Sequence, residues 1–289
     1  MSFLKPTGIA SDMCDDSSSL SSSSLEVEQV PGTYFLPPTY ATLSFHKADI
    51  LRLLNFPSDI VSAVESLILA SWPPGIEKQY PSGQAFEFKL RGRPFGTFRA
   101  QQFIGGIHVV RAVFALLRRH GWDLTLSTVC STRYTAKDTL VFHRSPVPLS
   151  EVEWLALAPA GDRRLRVVYD SGVGGHSQAD QDRQNHMVVL NTAIQNTLEE
   201  LGYFKESSWS HDTREFLLKG KPWRPKPAES VKVRVLLIRL LATMEQCGWR
   251  PYTALVQRTG QDDYRMVDTW YFVRDIASPG VADAPEARS

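Results

Sequence analysis

Three ionisable residues of the first half of the chain return at matching places in the second, and they set the first chemical question. Glu87 returns as Glu215, Asp138 as Asp268 and Arg144 as Arg274, with Thr139 and Thr269 following the two aspartates. A carboxylate on one strand and a guanidinium on another can form a charge-assisted, bidentate pair across a sheet face. An Asp-Thr step at a strand start bonds its own backbone and fixes the turn. Both uses are structural. The sharper use is acid/base work at a pocket between the halves, by Glu87 or Glu215 with Arg144 or Arg274. No nucleophile recurs beside them.

A second recurring group is basic. Lys89, Arg91, Arg93 and Arg99 crowd the turn after one Glu-Phe segment, and Lys219, Lys221, Arg224 and Lys226 crowd its counterpart. Neither 89–99 nor 219–226 contains an acid. Phe95 and Trp223 stand among these cations as flat faces for stacking. Cations beside exposed aromatics suit phosphates with stacked bases, an anionic lipid surface such as phosphoinositide, or an acidic protein patch. Two such loops would add avidity. The plainer alternative is a pair of solvated strand ends whose aromatics fold inward.

Other catalytic and cofactor patterns are absent. Cys14, Cys130 and Cys247 are widely spaced and lack the paired spacings of zinc or redox sites. None of the seven histidines recurs at its matching position, and no H-E-x-x-H appears. Gly172-Val173-Gly174-Gly175 precedes a helical pattern, but Ser177 stands where a dinucleotide fingerprint needs its third glycine. There is no P-loop and no G-x-S-x-G elbow. No metal or cofactor is expected.

The elements that must position these residues follow from an internal duplication. Glu87-Phe88-Lys89-Leu90-Arg91-Gly92-Arg93-Pro94-Phe95 returns as Glu215-Phe216-Leu217-Leu218-Lys219-Gly220-Lys221-Pro222-Trp223, at an offset of 128. Gly121-Trp122 returns as Gly248-Trp249 at 127, and Asp138 to Arg144 returns as Asp268 to Arg274 at 130. Leu51-Arg52-Leu53-Leu54 matches Leu165-Arg166-Val167-Val168 at 114, implying an insertion later in the second copy. A period this long means domain-sized units rather than a solenoid.

In the first copy, alternation predicts strands at Tyr40–Phe45, Ile50–Asn55, Phe86–Arg91, Trp122–Cys130 and Thr139–Phe142. Helices are predicted from Ser58, as cap, to Ser71, and from Gly106 to His120. The second copy repeats the order, with helices over His186–Leu201 and Glu229–Cys247. Val110, Val113, Phe114 and Leu117 form an apolar stripe matched by Leu237, Leu240, Leu241 and Met244. Each unit reads as ββαβαββ, and the fold class as α+β: a tandem duplication giving two homologous domains.

Composition agrees with a folded, soluble protein. The 289 residues are 43% hydrophobic and 22% charged, with a net charge of +1, which excludes disordered, collagen-like and strongly basic coat proteins. Residues 1–31, rich in serine and acids, read as a disordered tail, and 276–289 as a second one. Removing these tails leaves 30 bases against 24 acids in 32–275, an excess of six. The repeats are placed at 32–146 and 147–275, with a Gly-rich insertion near 171–184. No stretch reads as a signal peptide or transmembrane span, and the cysteine usage fits a cytoplasmic or nuclear setting. The oligomeric state is not legible.

The segments Glu87-Phe88-Lys89-Leu90-x-Gly92-x-Pro94, Gly121-Trp122 and Lys137-Asp138-Thr139-Leu140-x-Phe142, with Leu53-Leu54-Asn55-Phe56-Pro57 and Trp72-Pro73, resemble a group of duplicated proteins of filamentous fungi that carry no assigned function. The resemblance spans 40–274 and implies the duplicated fold and an intracellular setting, without a catalytic residue. The second copy departs from it by lacking the Asn-Phe-Pro and Trp-Pro steps.

The sequence therefore leads to a non-enzymatic binding or adaptor protein with paired basic-aromatic loops for an anionic partner. An enzyme with an inter-repeat site at Glu87/Glu215 and Arg144/Arg274 is the alternative.

Overall fold

The computed structural model describes residues 39–96, 100–132, 137–169, 177–210, 213–256 and 267–276. The expectations for the 1–31 tail, Arg99, Gly172 to Gly175 and the end beyond 276 lie outside the described residues. The first repeat runs β1 (Tyr40–His46), β2 (Ile50–Leu54), α1 (Ser58–Ser71), β3 (Ile76–Ser82), β4 (Ala85–Leu90), α2 (Ala100–Arg119), β5 (Trp122–Thr128) and β6 (Thr139–Arg144). The second runs β7 (Val152–Ala160), β8 (Arg164–Tyr169), α3 (Gln178–Glu200), β9 (Phe204–Ser210), β10 (Thr213–Leu218), α4 (Ser230–Gln246), β11 (Arg250–Leu255) and β12 (Thr269–Asp275).

Both repeats form an antiparallel six-stranded sheet. Sheet A has the order β3-β4-β2-β1-β6-β5, and sheet B, read from its far edge, has β9-β10-β8-β7-β12-β11. These orders are identical once β1 is matched to β7, which makes the duplication a property of the fold. The α+β class and its tandem repeat therefore stand, and each unit is ββαββαββ.

The added strands, β3 and β9, had no apolar signal to reveal them. Both lie at a sheet edge, and β3, Ile-Glu-Lys-Gln-Tyr-Pro-Ser, is exposed along nearly its whole length. Lysine and proline are what an edge strand carries to discourage further pairing.

Two helices begin earlier than their apolar patterns indicate. Residues 178–184, expected within a loose insertion, form the opening turns of α3, where the Ser177 hydroxyl accepts a hydrogen bond from the Asp180 backbone N–H at 3.2 Å. Helix α2 begins six residues before Gly106, and Gly105-Gly106 within it serves close packing. A Cβ on Gly105 would lie 2.6 Å from the Trp72 ring, and one on Gly106 would lie 2.4 Å from the Pro94 carbonyl oxygen. At α1 the cap position belongs to Pro57, and Ser58 opens the helix.

The repeats share one compact unit. Helices α1 and α2 cover the inner face of sheet A, and α2 also packs against β7 and β8. Ala156, Ala158, Val168, Leu255 and Tyr271 of sheet B consequently belong to the same buried cluster as the core of repeat one. Leu155, Leu157, Leu165 and Val167, on the other face of sheet B, pack with α3 and α4. The layers thus run sheet A, helices, sheet B, helices. Phe114 on α2 bridges the sheets, with its ring 6.3 Å from Phe142 of sheet A and 5.2 Å from Tyr271 of sheet B. By length and composition α2 is apolar enough to cross a membrane, but this helix is the layer between the two sheets.

The Gly-Trp pairs behave as their spacing indicates. Gly121 and Gly248 take left-handed φ values of 79° and 78° after α2 and α4, and Trp122 and Trp249 that follow are buried.

Candidate functional site

Sheet A presents one face to its helices and leaves the other uncovered by any described helix. A row of polar residues crosses that open face from edge to edge. Cross-strand pairing sets Tyr80 opposite Glu87, Glu87 opposite Arg52, Arg52 opposite Ser44, Ser44 opposite Thr139, and Thr139 opposite Thr128. Side chains at paired positions share a face, so the register itself builds the row.

At its centre Glu87 is buried. Arg52 Nε donates to Glu87 Oε1 at 2.6 Å, and the Tyr80 hydroxyl donates to Oε2 at 3.0 Å. Burial alone would raise the carboxyl, but the Arg52 and Tyr80 hydrogen bonds outweigh it and hold the group below its ordinary value. In repeat two Glu215 Oε2 accepts from Arg166 Nε at 2.6 Å, and Oε1 from Arg164 Nε at 2.9 Å.

The recurring carboxylate therefore pairs with Arg52 or Arg166 on the neighbouring strand. The expected partners, Arg144 and Arg274, are elsewhere. Arg144 ends β6, two strands away from β4 across β1 and β2, and makes no ion pair among the described residues. Arg274 reaches Glu153, with Nε 2.9 Å from Oε2, and lies 5.4 Å from the Trp249 ring centre. The structure does not assemble Glu87, Glu215, Arg144 and Arg274 into one pocket. The needed signal was present in the Leu-Arg-x-x match at offset 114, which carries Arg52 and Arg166 in register.

Asp138 has a different task. It is buried, and its Oδ2 accepts from the backbone N–H of Val256, tying the start of β6 to the segment after β11 in the other repeat. Asp268 holds the matching place before β12 and is half-buried.

The basic loops are exposed, but their aromatics are not. Phe95 is fully buried, edge-on to Phe45 at 5.0 Å, and its backbone N–H donates to the Ala48 carbonyl at 2.8 Å. Trp223 donates from Nε1 to the Arg164 carbonyl at 2.7 Å and stands edge-on to Trp270 at 6.0 Å. Both rings anchor their loop to the hairpin turn beside it, so the expected stacking faces are spent on packing. Acids from other segments also meet part of the charge: Lys89 pairs with Glu77 at 2.7 Å, and Lys221 with Asp162 at 3.4 Å. Arg91, Arg93, Lys219, Arg224 and Lys226 remain exposed to solvent.

The sequence reading missed a further feature of the open face. A groove of about 570 Å³ lies over the polar row, lined among others by Ser44, His46, Lys47, Arg52, Glu87 and Lys137. The Ser44 hydroxyl and His46 Nε2 are hydrogen-bonded at 2.9 Å. Burial, then the nearby Arg52 guanidinium, lowers the His46 pKa, which favours neutral imidazole at pH 7. The Lys137 ammonium is buried, donates to the carbonyls of Lys47 and Phe95, and has its pKa lowered by burial to about 8. It fastens the β1–β2 turn to the first basic loop.

A family model for an uncharacterised domain matches residues 39–143 and again residues 153–273. The chain belongs to that family, as a tandem pair of its domain. Among solved structures, the crystal structure of a conserved kinetoplastid-specific protein from Trypanosoma cruzi matches at 18% identity, covering 36% of this chain and 94% of that one with a TM-score of 0.27. A likeness of that size carries no argument about this chain. No curated protein matches.

Proposed function

We propose that the protein is a non-enzymatic binding or adaptor protein that meets an anionic partner through its two basic loops. The observation that carries the reading is the exposure of Arg91 and Arg93 in one loop and of Lys219, Arg224 and Lys226 in its copy, each loop being pinned by a buried or half-buried ring. A pinned loop presents charge at little conformational cost. With Phe95 and Trp223 engaged inside, recognition rests on charge, which favours a phosphate-bearing surface over stacked bases. A cytoplasmic or nuclear setting and the fungal kinship carried by the Glu-Phe-Lys-Leu-x-Gly-x-Pro motif belong to the same proposal.

The test is a salt series of binding to phosphoinositide vesicles and to single-stranded RNA. The wild type is compared with a variant carrying Arg91→Glu, Arg93→Glu, Lys219→Glu and Lys221→Glu. Binding that falls steeply with salt and is lost in the folded variant supports the proposal. Binding that the reversal leaves unchanged discards the loops, and no binding to either partner discards the phosphate-bearing surface.

A further inference from the structure

We propose that the outer face of α4 is the contact surface of a twofold dimer, in which two copies of this chain pack α4 against α4 in antiparallel fashion. The dimer is independent of the basic loops and of the groove on sheet A.

Comparison of the two repeats shows why this face calls for a cover. The stripe Val110, Val113, Phe114 and Leu117 matches Leu237, Leu240, Leu241 and Met244 at an offset of 127, so the other faces of α2 and α4 correspond in the same register. Ile104, His108, Arg111 and Ala115 of α2 therefore match Val231, Val235, Ile238 and Ala242 of α4. In repeat one this face is turned to sheet B. Arg111 is buried and donates from Nη1 to the Trp154 carbonyl at 3.4 Å, and Ala115 lines a small pocket with Trp154.

Repeat two is the last layer, and no sheet among the described residues follows it. Val231 is 67% exposed, Val235 43% and Ile238 63%. Val188 and Val189 of the adjoining α3 are exposed as well. The chemistry is thus inverted: the covered helix face holds an imidazole and a guanidinium, while the uncovered one holds two valines and an isoleucine. An apolar strip of this kind, left in water, marks an interaction surface.

Spacing and charge select the occupant. Val231, Val235, Ile238, Ala242 and Glu245 follow one another at steps of four, three, four and three, the seam of a pair of helices packed knobs-into-holes. Ile238 is its midpoint. A twofold axis there sets Ile238 against its counterpart in the second copy, Val235 near Ala242, and the Val231-Lys232 end of each helix near Glu245 of the other. Lys232 and Glu245 are both exposed, and neither has an ion-pair partner among the described residues. Antiparallel packing sets each lysine beside a glutamate, whereas parallel packing sets like charge beside like. A head-to-tail stack would instead lay the valines on Ser44, Arg52 and Glu87 of sheet A and grow without end. The twofold pair joins apolar to apolar and closes at two chains.

The experiment is sedimentation equilibrium of the full chain at concentrations up to about 100 µM, where even a dimer of micromolar Kd is populated. The wild type should reach twice the chain mass and no more. Val235→Asp with Ile238→Asp should weaken the dimer at least about a hundredfold, the scale of two buried apolar side chains, with circular dichroism unchanged because both positions are exposed. Lys232→Glu should weaken it about fivefold, the scale of two exposed ion pairs, and adding Glu245→Lys should restore it. A monomer throughout, growth beyond two chains, an undiminished dimer in the double aspartate variant, or no restoration by the charge exchange would each overturn the proposal.

Discussion

Trp72 lies across the backbone of Gly105 so closely that a Cβ there would come within 2.6 Å of its ring. The indole also donates from Nε1 to the Arg91 carbonyl at 2.9 Å, so one side chain joins the end of α1, the second turn of α2 and the first basic loop. In repeat two the position of Gly105 is Lys232 and no tryptophan stands at the matching place. Repeat two thus carries neither member of the contact.

Gly105→Ala should destabilise the protein by about 1–3 kcal/mol through overpacking, and Trp72→Ala by about 3–5 kcal/mol through the cavity it leaves. The double variant should cost less than the two single costs added together, because removal of the indole makes room for the methyl group. Urea unfolding of the four proteins measures the coupling, and strict additivity would contradict the contact.

Glu87 should make stability sensitive to acid. Its folded pKa lies below the 4.5 of an ordinary glutamate, so its contribution is present above that value and is lost as pH falls through the lower, folded one. Glu87→Gln should cost about 1–3 kcal/mol at pH 7. That cost should shrink below pH 4.5, read from denaturant midpoints at several acidic pH values.

Lys137 works in the opposite range. Its folded value of about 8 is below the 10.5 of an exposed lysine, so between these limits the unfolded chain holds more protons and stability rises with pH. Relative to Lys137→Met, the wild type should therefore gain stability between pH 8 and 10.5. A constant difference across that interval would show that the ammonium is not desolvated.

Phe114 should couple the repeats. Its ring meets Phe142 in sheet A and Trp154, Tyr252 and Tyr271 in sheet B. Phe114→Ala should cost about 3–5 kcal/mol. The wild type should unfold in one transition, with the Trp122 and Trp249 environments lost at the same midpoint. Single-tryptophan fluorescence would reveal separate midpoints if the repeats were independent.

The duplication, the paired helices and the Gly-Trp closures were legible because apolar periodicity and repeated identity report directly on burial. The strands β3 and β9 were not, since an edge strand needs no apolar face. At the candidate site, Glu87 and Glu215 were found but their partners were misassigned. Identity between copies marks which residues matter, while pairing depends on strand order, which no local pattern encodes. The groove was invisible because Ser44, His46, Tyr80 and Lys137 are what the repeats do not share.

The alternation of sheets and helices gives the two copies a fixed order. The sheet enclosed between helix layers is the one lined by Ala156, Ala158 and Tyr271, while the sheet bearing Tyr80, Ser44 and His46 closes the molecule at one end. Exchanging the places of the two sheets would sequester the hydroxyls and the imidazole and wet the alanines. The duplicated halves have thus become terminus and interior, and neither can now take the other's seat.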